Sequence, residues 1–73
     1  MGKLRLLSGR QICRILEQHG FVEARRRGSH IVMQLRTKTS TTTVPVLDHV
    51  TVAMGTLQSI IRQSGLGRAP FES

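Results

Sequence analysis

Apolar and polar positions along this chain follow two different periods, and the switches between them mark its elements. From Ser8 to Gly20 the positions Ile12, Ile15, Leu16 and His19 recur at i, i+3, i+4 and i+7, the spacing of one helix face. Ser8 and Gln11 supply an S-x-x-Q capping box, in which each side chain satisfies the other residue's free backbone N–H. Gly20 supplies the left-handed residue that stops the helix. Beyond it the period falls to two. Val22 and Ala24 alternate with Glu23 and Arg25, although Phe21 blurs the parity of this first strand. Gly28 permits the positive φ of a tight turn, so residues 21–36 predict a β-hairpin. In its second strand Ile31, Met33 and Leu35 face one way, and His30, Val32, Gln34 and Arg36 face the other.

The segment TKTSTTT, residues 37–43, predicts a polar, flexible link whose last threonines open a third strand, TTTVPV. Pro45 has no backbone donor, so that strand lies at a sheet edge or ends there. MGTLQSIIRQSG predicts a second helix with Leu57, Ile60 and Ile61 buried, Arg62 and Gln63 in water, and Gly65 as its stop. The order is α-β-β-β-α. An α+β fold follows, a three-stranded antiparallel sheet with both helices on its apolar face. The other face is left open and carries His30, Gln34 and Arg36, with Arg25, Arg26 and Arg27 at the turn. The 73 residues suffice for one domain, with a core over about 7–66 and a flexible tail at 67–73.

Composition narrows the function. No apolar run approaches the roughly 20 residues of a membrane span, and the N-terminus lacks the pattern of a secretory signal, so a soluble cytoplasmic protein is expected. Cys13 is the single cysteine, which excludes an internal disulfide and a thiolate metal site. Its place on the first helix predicts a half-buried, unreactive thiol. Eleven Lys and Arg against four Asp and Glu leave a net charge of +7, and nine of the eleven are arginine. A charge of that size on so small a domain points to nucleic acid or to an acidic protein surface. Arginine's planar fork favours phosphate. Phe21 and Phe71 are the only aromatics, so modules that stack bases on exposed rings are disfavoured.

Two histidines are candidates for chemistry. His30 is either a polar residue at a strand end or a general acid–base, since imidazole titrates near neutral pH and the arginines around it suit a phosphodiester. His49, in VPVLDHVTVAMGTL, is either a loop residue ordered by Asp48 or a second proton-transfer or phosphate-binding group. His19 reads as a packed or capping residue. Because side chains alternate along a strand, about two of the three turn arginines can face one ligand. The four carboxylates are scattered, with no pair for two-metal chemistry, and no nucleotide-cofactor or nucleophile-elbow motif is present. No metal site and no small-molecule cofactor are expected.

The string LSGRQICRILEQHGF…RRRGSHIVM…TVPV…GTLQSIIRQSGL resembles the HicA toxin family, also called YcfA-like proteins, of HicA–HicB toxin–antitoxin pairs. The likeness runs from about Leu7 to Leu66. It rests on Gly28-Ser29-His30 opening the second strand, Val44-Pro45 in the third, and Gly55-Thr56-Leu57 with Ser59-Ile60 and Gly65. The resemblance implies a fold similar to double-stranded-RNA-binding domains and an mRNA-cutting ribonuclease neutralised by a HicB-type antitoxin. It maps the essential histidine onto His30 and a common second histidine onto His49. Arg25, Arg26, Arg27 and Arg36 would then hold RNA, Gly28 would set the turn, and Ser29 would position His30 or donate to phosphate. Two other functions compete. One is a non-catalytic RNA-binding domain of the same fold, although VAMGTLQS lacks the lysine cluster usual in duplex binders. The other is a protein-interaction module whose basic face docks an acidic partner.

Overall fold

A computed structural model describes residues 2–72 of the chain. The first helix, α1, spans Gly9–Gln18, and the capping box at its start is present in full. The Ser8 Oγ accepts from the Gln11 N–H at 3.1 Å, and the Gln11 Oε1 accepts from the Ser8 N–H at 2.9 Å. His19 closes the helix with its side chain in solvent, its Nδ1 donating to the Ile15 carbonyl at 2.9 Å. It caps and does not pack, so the apolar stripe of α1 ends at Leu16. Gly20 follows at φ 94°, where a residue with a Cβ would be strained.

Three strands form one antiparallel sheet in the order β1 (Val22–Arg27), β2 (His30–Arg36), β3 (Thr41–Leu47). A second helix, α2 (Met54–Ser64), stops at Gly65 in the left-handed conformation. The sequence-predicted architecture is therefore the observed one, with α-β-β-β-α order and both helices on one face. Ile31, Met33, Val44 and Val46 point into the core, where Ile12, Leu16, Phe21, Leu57 and Ile60 meet them. Pro45 sits inside an edge strand that continues through Leu47, so it marks the edge and not the end.

Three local features differ from expectation. The first is a bulge. Val22 pairs with Gln34 and Glu23 with Met33, but the next pair is Arg25 with Val32, so Ala24 is the extra residue. Strict alternation of Val22 and Ala24 is lost, and β1 is exposed along its whole length. The second is the link before β3, which is a hydrogen-bonded turn. Thr37 N–H donates to the Ser40 carbonyl at 2.8 Å, and the Thr37 Oγ1 accepts from the N–H groups of Thr39 and Ser40. The third is the C-terminal segment. Residues Ala69–Phe71 form a short 3-10 helix, and Phe71 is fully buried. Leu4 bridges Glu72, and the Arg5 N–H donates to the Phe71 carbonyl at 3.0 Å. Of the expected flexible tail, Ser73 lies outside the described residues, and Phe71, one of the two largest buried side chains, seats the end of the segment in the core while Gly67 to Ala69 stay exposed.

Candidate functional site

The turn between β1 and β2 is Gly28-Ser29, closed by the pair Arg27 and His30. Gly28 has φ 59°, and a Cβ there would meet nothing, so its role is conformational freedom and not space. The turn is held from outside by Asp48, whose N–H donates to the Ser29 carbonyl at 2.7 Å. His30 starts the central strand and is exposed.

Facing sides follow from the register. Residues directly opposite across an antiparallel pair share a face. Arg27 opposite His30, and Arg25 opposite Val32, therefore lie on the open face, whereas Arg26 lies opposite buried Ile31. The bulge at Ala24 explains why Glu23 and Arg26, three apart in a strand, share that second face and form an ion pair at 3.6 Å. Arg26 also donates to the Asp48 Oδ2 at 3.1 Å, while Arg10 of α1 reaches the Asp48 Oδ1 at 3.4 Å. Hydrogen bonding from Arg26, then the nearby Arg10, holds the Asp48 carboxyl below its ordinary value. Asp48 is thus the hub that ties α1, β1 and the turn together. The sequence marked it only as a possible partner of His49. Its spacing from Arg26 carries no local signal.

Arg25 to Arg27, His30 and Val32 line a shallow cleft of about 450 Å³. Among the described residues neither Arg25 nor Arg27 has an ion-pair partner, because the pairs formed involve Arg10, Arg26 and Arg68. The two free guanidinium groups lie on β1 beside an exposed imidazole, Arg27 directly opposite His30 and Arg25 opposite Val32. That arrangement suits a polyanion.

Other candidate residues stand apart. Arg36 ends β2, six residues from His30, or roughly 20 Å at ~3.3 Å per residue. It donates to the Gln34 Oε1 at 3.3 Å. Strand rise therefore separates Arg36 from any phosphate held at the turn. His49 lines a different concavity with Ser8, Arg10, Asp48 and Val50, and its carbonyl accepts from the Gly9 N–H at 2.9 Å. Ser29 contributes its carbonyl to the turn, as above, and its side chain is exposed. Cys13 is half-buried, and burial followed by the Glu17 and Glu23 charges pushes its thiol up to about 11.

Among the described residues no group of three or more His, Cys, Asp or Glu side chains converges as metal ligands would, and no helix is long and apolar enough to cross a membrane. A family model described as the HicA toxin of bacterial toxin–antitoxin systems matches residues 9–66. No curated protein and no solved structure gives a significant match to the chain.

Proposed function

The chain belongs to the HicA toxin family of bacterial toxin–antitoxin systems, and from that premise we propose that it is a metal-independent endoribonuclease that cuts mRNA with His30 as its general acid–base. The observation that carries this reading is the exposed His30 opposite Arg27 on the open face of the sheet, with Arg25 next along that face of β1, both arginines without ion-pair partners among the described residues. Neutral His30 takes the proton of a ribose 2′-OH. The 2′-oxygen attacks the adjacent phosphorus and the bond to the 5′-oxygen breaks. The leaving oxygen takes a proton from the imidazolium or from water. A 2′,3′-cyclic phosphate and a 5′-OH result, and DNA, lacking the 2′-OH, is spared.

Arg25 and Arg27 neutralise the phosphate as its charge grows. Gly28 sets the turn and Ser29, through its carbonyl, fixes the turn to Asp48. Arg26 holds Asp48 and contacts RNA only at the rim. Arg36, at the far end of β2, meets backbone several nucleotides away. His49 has no place in this step. The protein acts in the cytoplasm, where mRNA is available, and family membership implies an antitoxin partner. In this reading that partner is of the HicB type and works by covering the basic face and burying His30.

Purified protein incubated with a long single-stranded RNA in EDTA tests the proposal. Wild type is expected to cut and leave cyclic-phosphate ends. His30→Ala is expected to bind RNA, melt at the wild-type temperature, and lose on the order of 10²- to 10⁴-fold in rate. Binding without cutting by both proteins would mean a non-catalytic RNA-binding domain of the same fold. Fragments with 3′-OH ends would refute the 2′-OH mechanism.

A further inference from the structure

We propose that the groove between the free edge of β3 and α2 is a nucleobase pocket, which reads the nucleotide beside the scissile phosphate through Gln63, Ser59 and Thr56. The inference rests on the ribonuclease reading above and names where the substrate's sequence is sensed. His30 belongs to two concavities of opposite chemistry. One is the basic cleft at the turn. The other, of about 250 Å³, runs over the β3 edge to α2 and has no Lys, Arg, Asp or Glu in its lining.

Its floor is apolar, with Pro45 and Leu47 on the strand side and Ile60 on the helix side. Thr56, Ser59, Ile60 and Gln63 stand at i, i+3, i+4 and i+7 on α2, which places them on one helix face. Thr56 and Gln63 are exposed and Ser59 is half-buried. Ser59 Oγ accepts from Arg62 at 3.1 Å, which leaves its own proton to donate.

The chemistry selects the occupant. A phosphate gains little in a groove whose lining residues carry no cation, Arg62 being engaged by the Ser59 Oγ, and its desolvation there is unfavourable. A heterocyclic base loses little on leaving water for apolar walls. Its edge then finds an amide that both donates and accepts, with two hydroxyls beside it. Unstacked bases of single-stranded RNA are recognised by such edge contacts. Because His30 is common to both concavities, RNA whose phosphate lies against Arg25 and Arg27 can present the attached base to the groove.

Two measurements test the pocket. In the first, wild type and Gln63→Ala cut a long RNA and the fragment ends are sequenced. Wild type is expected to prefer one base beside the cut. Gln63→Ala, whatever its overall rate, is expected to lose most of that preference, since a bidentate amide–base pair discriminates roughly 5- to 150-fold. Gln63→Glu, which cannot donate when ionised, is expected to move the preference to a base that donates. In the second, the four ribonucleoside 3′-monophosphates are titrated and NMR follows the Gln63 side-chain amide and the His30 ring. Base-dependent shifts at Gln63 support the pocket. An unchanged cleavage pattern in Gln63→Ala, or shifts at His30 alone and equal for all four bases, overturns it and leaves the ribonuclease reading standing. Wild type that neither binds nucleotides nor cuts RNA removes both.

Discussion

Gly9 makes the sharpest prediction about how the site is held. A Cβ placed on it would lie 2.8 Å from the Leu47 carbonyl carbon and 2.9 Å from the Asp48 Cα, and closer still to the Leu47 carbonyl oxygen. Ordinary contact begins at 3.4 Å, and the carbonyl oxygen falls furthest short of it, so α1 and the end of β3 would have to separate by about 1.5 Å. Every atom in the way is backbone, and no side chain can swing aside. Overpacking of this kind costs ~1–3 kcal/mol and occasionally more, and the absence of a flexible neighbour puts Gly9→Ala near the upper end. At ~0.05–0.15 kcal/mol per residue a domain of this length has roughly 4–11 kcal/mol in total. A loss of about 3 kcal/mol should lower Tm by roughly 12–24 °C, at ~4–8 °C per kcal/mol for so small a domain.

Gly55→Ala is the matched control. The same methyl on α2 meets nothing and the backbone there is not left-handed, so the change should stabilise by about 0.4–1 kcal/mol. Thermal melts followed by far-ultraviolet circular dichroism read both. Gly9→Ala melting within about 3 °C of wild type would refute the close approach, because that shift corresponds to less than about 1 kcal/mol. A drop in Gly55→Ala would refute the open position. Asp48 follows Leu47, so Gly9→Ala should also disturb the Asp48 tie to the Ser29 carbonyl.

Salt dependence separates the turn arginines: removing Arg25 or Arg27 should lower the slope of log affinity for single-stranded RNA against log salt by about 0.7 each. Arg26→Ala should change that slope much less, because its guanidinium is held by Asp48 and Glu23; an equal loss in all three would contradict the assignment of faces. Asp48 has a lowered folded-state pKa, so its contribution is present above the ordinary value of 3.8 and is lost as pH falls through the folded value. The Tm difference between wild type and Asp48→Asn should therefore be flat near neutral pH and shrink in acid, and a difference that grows in acid would reverse the sign. Cys13, pushed from 9.0 to about 11, should react with iodoacetamide at pH 8 roughly 100-fold more slowly in the folded protein than after unfolding. Equal rates would mean that the thiol is not shielded.

Local signals in this chain are strong where one residue type has one physical use. The capping box of Ser8 and Gln11 and the stops at Gly20 and Gly65 need only their neighbours, and each stands where the sequence puts it. The alternation from Ile31 to Leu35 likewise settles which face of β2 is buried, and with it the exposure of His30. Phe71 is the opposite case. It follows Gly65, Gly67 and Pro70 with no apolar periodicity around it, and nothing nearby says that a core has room for it. Its burial depends on Leu4 and Arg5, which lie at the other end of the chain.

Sequence by itself thus determined the helix limits, the β-hairpin and the placing of His30 on an open, basic face, since period and capping act over a few residues. Tertiary structure alone decided which arginines are free. The bulge at Ala24 shifts the parity of β1 by one residue, and Asp48, distant in sequence, occupies the guanidinium of Arg26 in an ion pair. It also decided that Arg36 stands at the far end of β2 from His30, that His49 lines a different concavity, and that Gln63 of α2 lines one with His30. Those outcomes depend on how elements pack across the sheet, and long-range packing leaves no periodic trace in the residues that it joins.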